Sequence, residues 1–275
     1  MMKLNSLIIL CLTASNLMAG ESAGQAGAFL RIGLTPRAKG MGDTYVAIAD
    51  NASAAYYNPA GLAFIKQQEL TLSYSQMSFD RTFNHIGYSR SLPPMAGFAA
   101  GIIQSGFKDY EARARNGELA GETIVDNHYA FFIGFAVRFS DKFSAGISPK
   151  VVYSKVYDVS AKSFGADFGV MFKPVKNLSL GAVIKDIGIS MKYSRTVPGG
   201  IGDQTTTDKY PRIIKGGAAY QLPLSGSFKY VLFAADLERN SLQGMKSHVG
   251  VETNISDKIH ARAGLDGTDF TAGFS

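Results

Sequence analysis

The run NHYAFFIGFAVRFS, from Asn127 to Ser140, constrains this chain more than any other feature. Tyr129, Phe131, Ile133, Phe135, Val137 and Phe139 share one parity, while His128, Ala130, Phe132, Gly134, Ala136, Arg138 and Ser140 share the other. A period of two belongs to a pleated strand, so one face of this strand is continuously apolar. After a turn at Asp141 the stripe resumes with Phe143, Ala145, Ile147, Val151 and Tyr153. A hairpin that pairs Phe139 with Phe143 keeps all of them on one face.

The same pattern returns down the chain. Phe164, Phe168, Val170 and Phe172 form one stripe, Leu178, Leu180 and Ile184 another, and Val231, Phe233 and Leu237 a third, followed by Val249, Val251 and Ile255 and then Ala261, Ala263 and Leu265. The opposite parity collects ionisable side chains: Asp167, Lys185, Lys215, Asp236, His248, Glu252, His260 and Arg262, with Arg138 on the equivalent face of the first strand. If Ile255 pairs with Ile259, Glu252 lies opposite Arg262 and Asn254 opposite His260, and each such cross-strand pair contributes roughly 0.2–1 kcal/mol.

A soluble sandwich and a barrel standing in lipid both produce alternation. About twelve segments of about ten residues favour the barrel, because short turns alternate with longer loops. The short turns fall near Pro93, Asp141, Val175, Ser225 and Asp257, and the longer loops at 108–126, 193–209 and 239–246. Tyr74, Tyr88, Tyr129, Tyr153, Tyr220 and Tyr230 lie near strand ends, where amphipathic rings suit an interface belt. The fold expected is therefore all-β, an antiparallel transmembrane β-barrel with about 12 strands visible. The last strand stops at Ser275 soon after Phe270, short of the roughly 9–11 residues needed to cross the hydrocarbon, so the chain reads as truncated at its C-terminus, with a true 12-stranded barrel as the alternative.

Among 275 residues, 30 Gly suggest permissive turns, and only 18% are charged. Mean hydropathy of +0.03 suits a wall that alternates apolar and polar faces. Lys3, the apolar stretch Leu7–Leu12 and Ala19 read as a signal peptide over 1–19, implying export. Cleavage would remove Cys11, the only cysteine, so the mature chain has no disulfide or thiolate chemistry. The net charge of +6 is scattered singly over strand ends and loops, which argues against nucleic acid and for anionic lipid headgroups.

Between the signal and the strands, RAKGMGDTYVAIADNASAAYYNPAGLA spans Arg37 to Ala63. Thr35 can cap a turn that starts at Pro36, and Asp50 or Asn51 can cap a second that Pro59 stops. Its Gly and Ala content permits close packing in a confined space. With the element Asn58-Pro59-Ala60-Gly61 before the first strand, it resembles the N-terminal signature of the PorV/PorQ family and of the related FadL-type outer-membrane transporters of fatty acids and aromatic hydrocarbons. The resemblance implies a bacterial outer-membrane barrel, 14-stranded when complete, with residues 20–67 as an N-terminal plug and 68–275 as the wall. Arg37, Gly40, Gly42, Asp50, Asn58, Pro59 and Gly61 are then the plug or gate residues. Arg138, Asp167, Lys185, His248, Glu252, His260 and Arg262 line the lumen, either paired with one another and with the plug or along a water-filled path.

No motif supports catalysis. Gly40-x-Gly42 lacks the rest of a dinucleotide loop, no Gly-x-Ser-x-Gly elbow occurs, and His85, His128, His248 and His260 stand apart, although His248, Glu252 and His260 could converge on neighbouring strands. No enzyme activity, cofactor or metal is expected. The resemblance puts first a scaffold or client-binding role in type IX protein secretion, with secreted proteins or secretion components as partners. The alternatives are a FadL-like transporter of a small hydrophobic ligand and a soluble periplasmic sandwich.

Overall fold

The computed structural model describes residues 25–113, 116–196, 203–225, 228–256 and 259–275. The signal peptide expected over 1–19, with Cys11, lies outside them, as does the turn residue Asp257. Twelve strands form one antiparallel sheet in which neighbours in sequence are neighbours in space. They are β1 (Glu69–Gln76), β2 (Arg81–Leu92), β3 (Ala96–Arg113), β4 (Leu119–Ser140), β5 (Phe143–Val156), β6 (Val159–Val175) and β7 (Leu178–Ile187), then β10 (Ile213–Pro223), β11 (Tyr230–Asn240), β12 (Gly244–Ser256), β13 (Ile259–Asp266) and β14 (Asp269–Phe274). β7 pairs directly with β10, and the intervening β8 (Ser190–Thr196) and β9 (Asp203–Lys209) form a separate hairpin.

The sheet is inside out by the standard of a soluble protein. On β4, Phe131, Ile133 and Phe135 are 48%, 53% and 43% exposed, while Ala130, Phe132 and Ala136 between them are buried. Phe164, Phe168, Phe233, Leu237, Val249 and Leu265 continue the exposed apolar band around the wall. Water does not tolerate so continuous an apolar surface, whereas lipid demands one. A sandwich would need a second sheet on that face, and instead the core consists of the N-terminal segment packed on the other side. This excludes the soluble-sandwich alternative and defines a membrane β-barrel fold filled by its own N-terminal segment.

The register agrees with the hydrophobic pattern through most of the wall. Glu252 is opposite Arg262 and Asn254 opposite His260. Val137 faces Ala145 and Tyr129 faces Tyr153, as one continuous hairpin register requires. At the two turns the ladder slips by a residue, so that Ser140 faces Phe143 in place of Phe139, and Ser256 faces Ile259 in place of Ile255. A bulge beside a tight turn absorbs the extra residue.

The three long loops are not loops. Residues 108–126 mostly extend β3 and β4, residues 193–209 belong largely to the β8–β9 hairpin, and β11 and β12 are joined by residues 241–243 alone. Outside the hydrocarbon a strand has no reason to alternate apolar and polar side chains, so the extensions carry no period-two signal. The expected short turns near Pro93, Asp141, Val175 and Ser225 are present. The wall therefore has a turn end and an extended end, which general barrel architecture assigns to the periplasm and the exterior.

Candidate functional site

The plug starts with a 3-10 turn, Ala28–Arg31, whose Phe29 and Leu30 are buried. Thr35 caps helix α1 (Pro36–Gly40) by accepting from the Ala38 amide, as expected. Helix α2 (Ala54–Tyr57) follows Ser53, and neither Asp50 nor Asn51 caps it. Asn51 Oδ1 instead accepts from the Ser53 amide and hydroxyl, shaping the approach. Pro59 does not merely stop this helix; it opens a second 3-10 turn, Pro59–Phe64. Asn58 sits between the two, completely buried. Its Nδ2 donates to Val46 O (2.9 Å) and to Val170 O on β6 (3.1 Å), and its Oδ1 accepts from the Ala60 amide (3.1 Å). One side chain thus closes the plug on itself and pins it to the wall.

The wall meets the plug through glycines. A Cβ on Gly169 of β6 would stand 2.0 Å from Asn58 Oδ1, one on Gly146 of β5 would stand 2.6 Å from the Pro59 carbonyl carbon, and one on Gly250 of β12 would stand 2.4 Å from Met41 O. Within the plug, Gly61 packs so closely on Ala49 that a methyl group would fall 1.9 Å from its carbonyl oxygen. Gly40 lies against Gly273 of β14, and Gly42 (φ +66°) donates from its amide to Thr271 Oγ1 at 2.9 Å. Many glycines that composition assigns to turns are therefore mid-strand positions where backbone approaches backbone.

Charges complete the seal. Arg37 of α1 donates through Nε and Nη2 to Glu252 on β12 (2.8 and 2.9 Å) and through Nη1 to Asp50 (2.8 Å) and the Tyr45 hydroxyl (3.1 Å). Glu252, 1% exposed, also accepts from Arg262 and from the Tyr230 hydroxyl. Burial opposes the charge on Arg37, but Tyr45, Asp50 and Glu252 outweigh it and hold the guanidinium protonated. Burial also raises the Tyr45 phenol, keeping it a donor toward Asp50. Of the residues the sequence singles out, Arg37, Asp50, Glu252 and Arg262 meet in this one cluster.

The other lumenal groups lie higher, toward the extended end. Lys215 Nζ donates to Asp43 O at 2.7 Å, while Asp236 Oδ2 accepts from the Tyr45 and Val46 amides. His248 Nδ1 is 3.0 Å from both Gly42 O and Asp266 Oδ1. Asp167 pairs with Lys150 (2.6 Å), which also holds Asp186 (2.8 Å), and Lys185 lies 3.6 Å from the Tyr56 ring centroid. Arg138 stands apart from these networks and reaches Pro94 O at the turn end, while His260 pairs through its backbone with Ser275 and sets its ring 6.4 Å from that of Tyr230 in the Glu252 cluster. His248, Glu252 and His260 do not converge, and no cluster suited to a metal occurs among the described residues. Tyr230 turns into the lumen and so leaves the expected interface belt. Lys150, Asp186, Glu238 and Asp266 were not singled out from the sequence, although strand parity alone places Lys150 inward.

Three cavities flank the plug, one of them, about 340 Å³, set among the charged groups Arg31, Asp43, Lys185, Lys215 and Glu238. Above it, about 470 Å³ lies between Phe29, His128, Val156, Val159, Tyr193 and Tyr210, under the β8–β9 hairpin, with the Phe29 and His128 rings stacked at 5.2 Å. Below it, about 280 Å³ opens beside Arg37, Asp50, Lys173, Tyr230 and Glu252. A lipid-facing barrel wall packed around its own N-terminal segment, with an apolar chamber beside that segment, defines the class of internally occluded membrane barrels. The chain belongs to the outer membrane protein transport protein family (OMPP1/FadL/TodX), whose sequence model matches residues 20–184. Among solved structures it is similar to the toluene transporter TodX of Pseudomonas putida, with a TM-score of 0.55 and 15% identity over 84% of this chain and 82% of that one. It is also similar to the CymD monoaromatic hydrocarbon channel, with a TM-score of 0.51 and 13% identity over 85% and 83% of the two chains. At such identities the structural likeness speaks for the fold. No curated sequence matches significantly.

Proposed function

We propose that this chain conducts a small hydrophobic molecule, of the size of a single aromatic ring, across the outer membrane. The observation that carries the reading is the apolar chamber above the plug, walled by Phe29, His128, Tyr193 and Tyr210. Its volume falls in the range of about 300–1,000 Å³ usual for small-molecule sites. The similar structures named for toluene and monoaromatic hydrocarbons support the same substrate class. On this reading residues 20–67 are the plug and 68–275 the wall. Arg37, Gly40, Gly42, Asp50, Asn58, Pro59 and Gly61 keep the plug seated, and the lumenal charges anchor it. Cargo waits in the upper chamber until the plug yields toward the cavity beneath.

This reverses the order of readings drawn from the PorV/PorQ resemblance. Neither the family model nor the similar structures bring in type IX secretion, so the scaffold role takes second place. Calorimetric titration of the detergent-solubilised chain with a monoaromatic hydrocarbon tests the first reading: Phe29→Asp and Tyr193→Ala are each expected to weaken binding by about tenfold or more. Absence of binding, with recovery of secreted proteins sharing a C-terminal domain in a pull-down from native membranes, would restore the scaffold.

A further inference from the structure

We propose that the turn-end rim of the wall, from β2 to β7, binds the headgroups of an anionic phospholipid such as phosphatidylglycerol in the leaflet on that side. The net positive charge is not spread evenly. Lys66, Arg90, Arg138, Lys142, Lys173 and Lys176 all stand at this end, and none forms an ion pair among the described residues. Of the nearby acids, Asp50 is held by Arg37 and Glu69 accepts from the Ala52 amide, which leaves Asp141. At the extended end, by contrast, acids such as Asp126, Asp158, Asp208, Glu238 and Asp266 accompany the bases, some in pairs such as Arg195 with Asp158 and Lys246 with Asp266.

The basic groups form one patch. The Lys173 amide donates to Lys142 O at 2.7 Å, so the β4–β5 turn abuts the end of β6, while the Lys173 side chain turns inward, its Nζ 4.0 Å from the Phe64 ring centroid. Arg90 faces outward from β2, opposite Phe98 in register. Arg138 reaches only Pro94 O, and its buried Nε has no partner among the described residues. An anion would offset the net positive charge of this rim.

What lies beside the patch selects the occupant. Phe139 is 66% exposed and Val175 58%, at the same rim and on the apolar face. A partner must therefore offer negative charge at the edge of hydrocarbon. A phospholipid does so directly, with its chains over Phe139 and Val175 and its phosphate among the ammonium and guanidinium groups, whose stems extend toward the headgroups.

The test reconstitutes the full chain in phosphatidylcholine bilayers with spin-labelled phosphatidylglycerol or phosphatidylcholine and reads the motionally restricted fraction. At low salt the anionic lipid is expected to associate about three- to tenfold more strongly, on the scale of attraction between basic side chains and anionic headgroups. The combined Arg90→Gln, Lys142→Gln and Lys176→Gln variant should lose most of that preference, whereas Lys192→Gln with Lys209→Gln, at the other end, should keep it. Should the triple variant fail to fold, as read by its heat-dependent gel shift, the wild-type preference must still fall as salt rises from about 0.02 to about 0.5 M. Equal association of the two lipids, a preference that survives both the triple substitution and salt, or selective competition by inorganic phosphate over chloride at equal ionic strength would each overturn the proposal, the last by revealing a site for a soluble anion.

Discussion

Glu252 accepts two hydrogen bonds from Arg37 and a third from Tyr230 while facing Arg262 across the β12–β13 ladder. Removing Arg37 costs this 1%-exposed carboxylate two charge-assisted hydrogen bonds, each of a kind worth about 1.5–3 kcal/mol, and leaves Arg262 as its remaining cationic partner. Arg37→Ala should therefore unseat the plug, and a planar bilayer should show higher ion conductance than with the wild type, while Arg37→Lys, which keeps one contact, should fall between. The glycine contacts make a second prediction. Gly169→Ala and Gly61→Ala force a methyl group to within 2.0 and 1.9 Å of oxygen atoms, so the yield of heat-modifiable protein should drop sharply, whereas Gly216→Ala, whose nearest neighbour is 3.9 Å away, should be tolerated. The Glu252–Arg262 pair is legible in the sequence because a tight turn transmits register to both strands. Arg37 is 215 residues from Glu252, and no periodicity links them, so their meeting needs the folded plug.

At the level of elements, β5, β6 and β7 share a buried charge cluster in which Lys150 holds Asp167 and Asp186, and the Asp186 amide donates to Asp167 Oδ1 at 2.8 Å. Lys150→Met strands two carboxylates in the wall, and the folded fraction after refolding into detergent should fall. Adding Asp167→Asn and Asp186→Asn should recover much of it, because the cost comes from uncompensated charge. The hairpin β8–β9 is joined to the wall by the bond from the Ser190 amide to Ser163 Oγ (2.8 Å) and by buried Met191. Its sequence carries no strand signal, because Ser194, Thr205 and Thr206 show none of the apolar–polar alternation that a strand facing hydrocarbon displays. Strands that do face hydrocarbon were legible almost to the residue: the parity of Phe131, Phe164 and Phe233 defines the lipid side without any tertiary information.

The whole molecule is a lipid-facing sheet wrapped on a small N-terminal core, and its behaviour should follow from that inversion. Unboiled protein is expected to migrate differently from boiled protein on a denaturing gel and to partition with membranes; identical migration with recovery in the soluble fraction would contradict the wall described here. The fit of wall to plug also bears on how the chain tolerates change. Side chains usually yield by rotating about their bonds, but at Gly97, Gly146 and Gly250 plug backbone meets wall backbone, which has no rotamer to change. A saturation scan should consequently find its least forgiving positions among residues with no side chain at all, scattered along strands whose outward neighbours accept almost any apolar replacement.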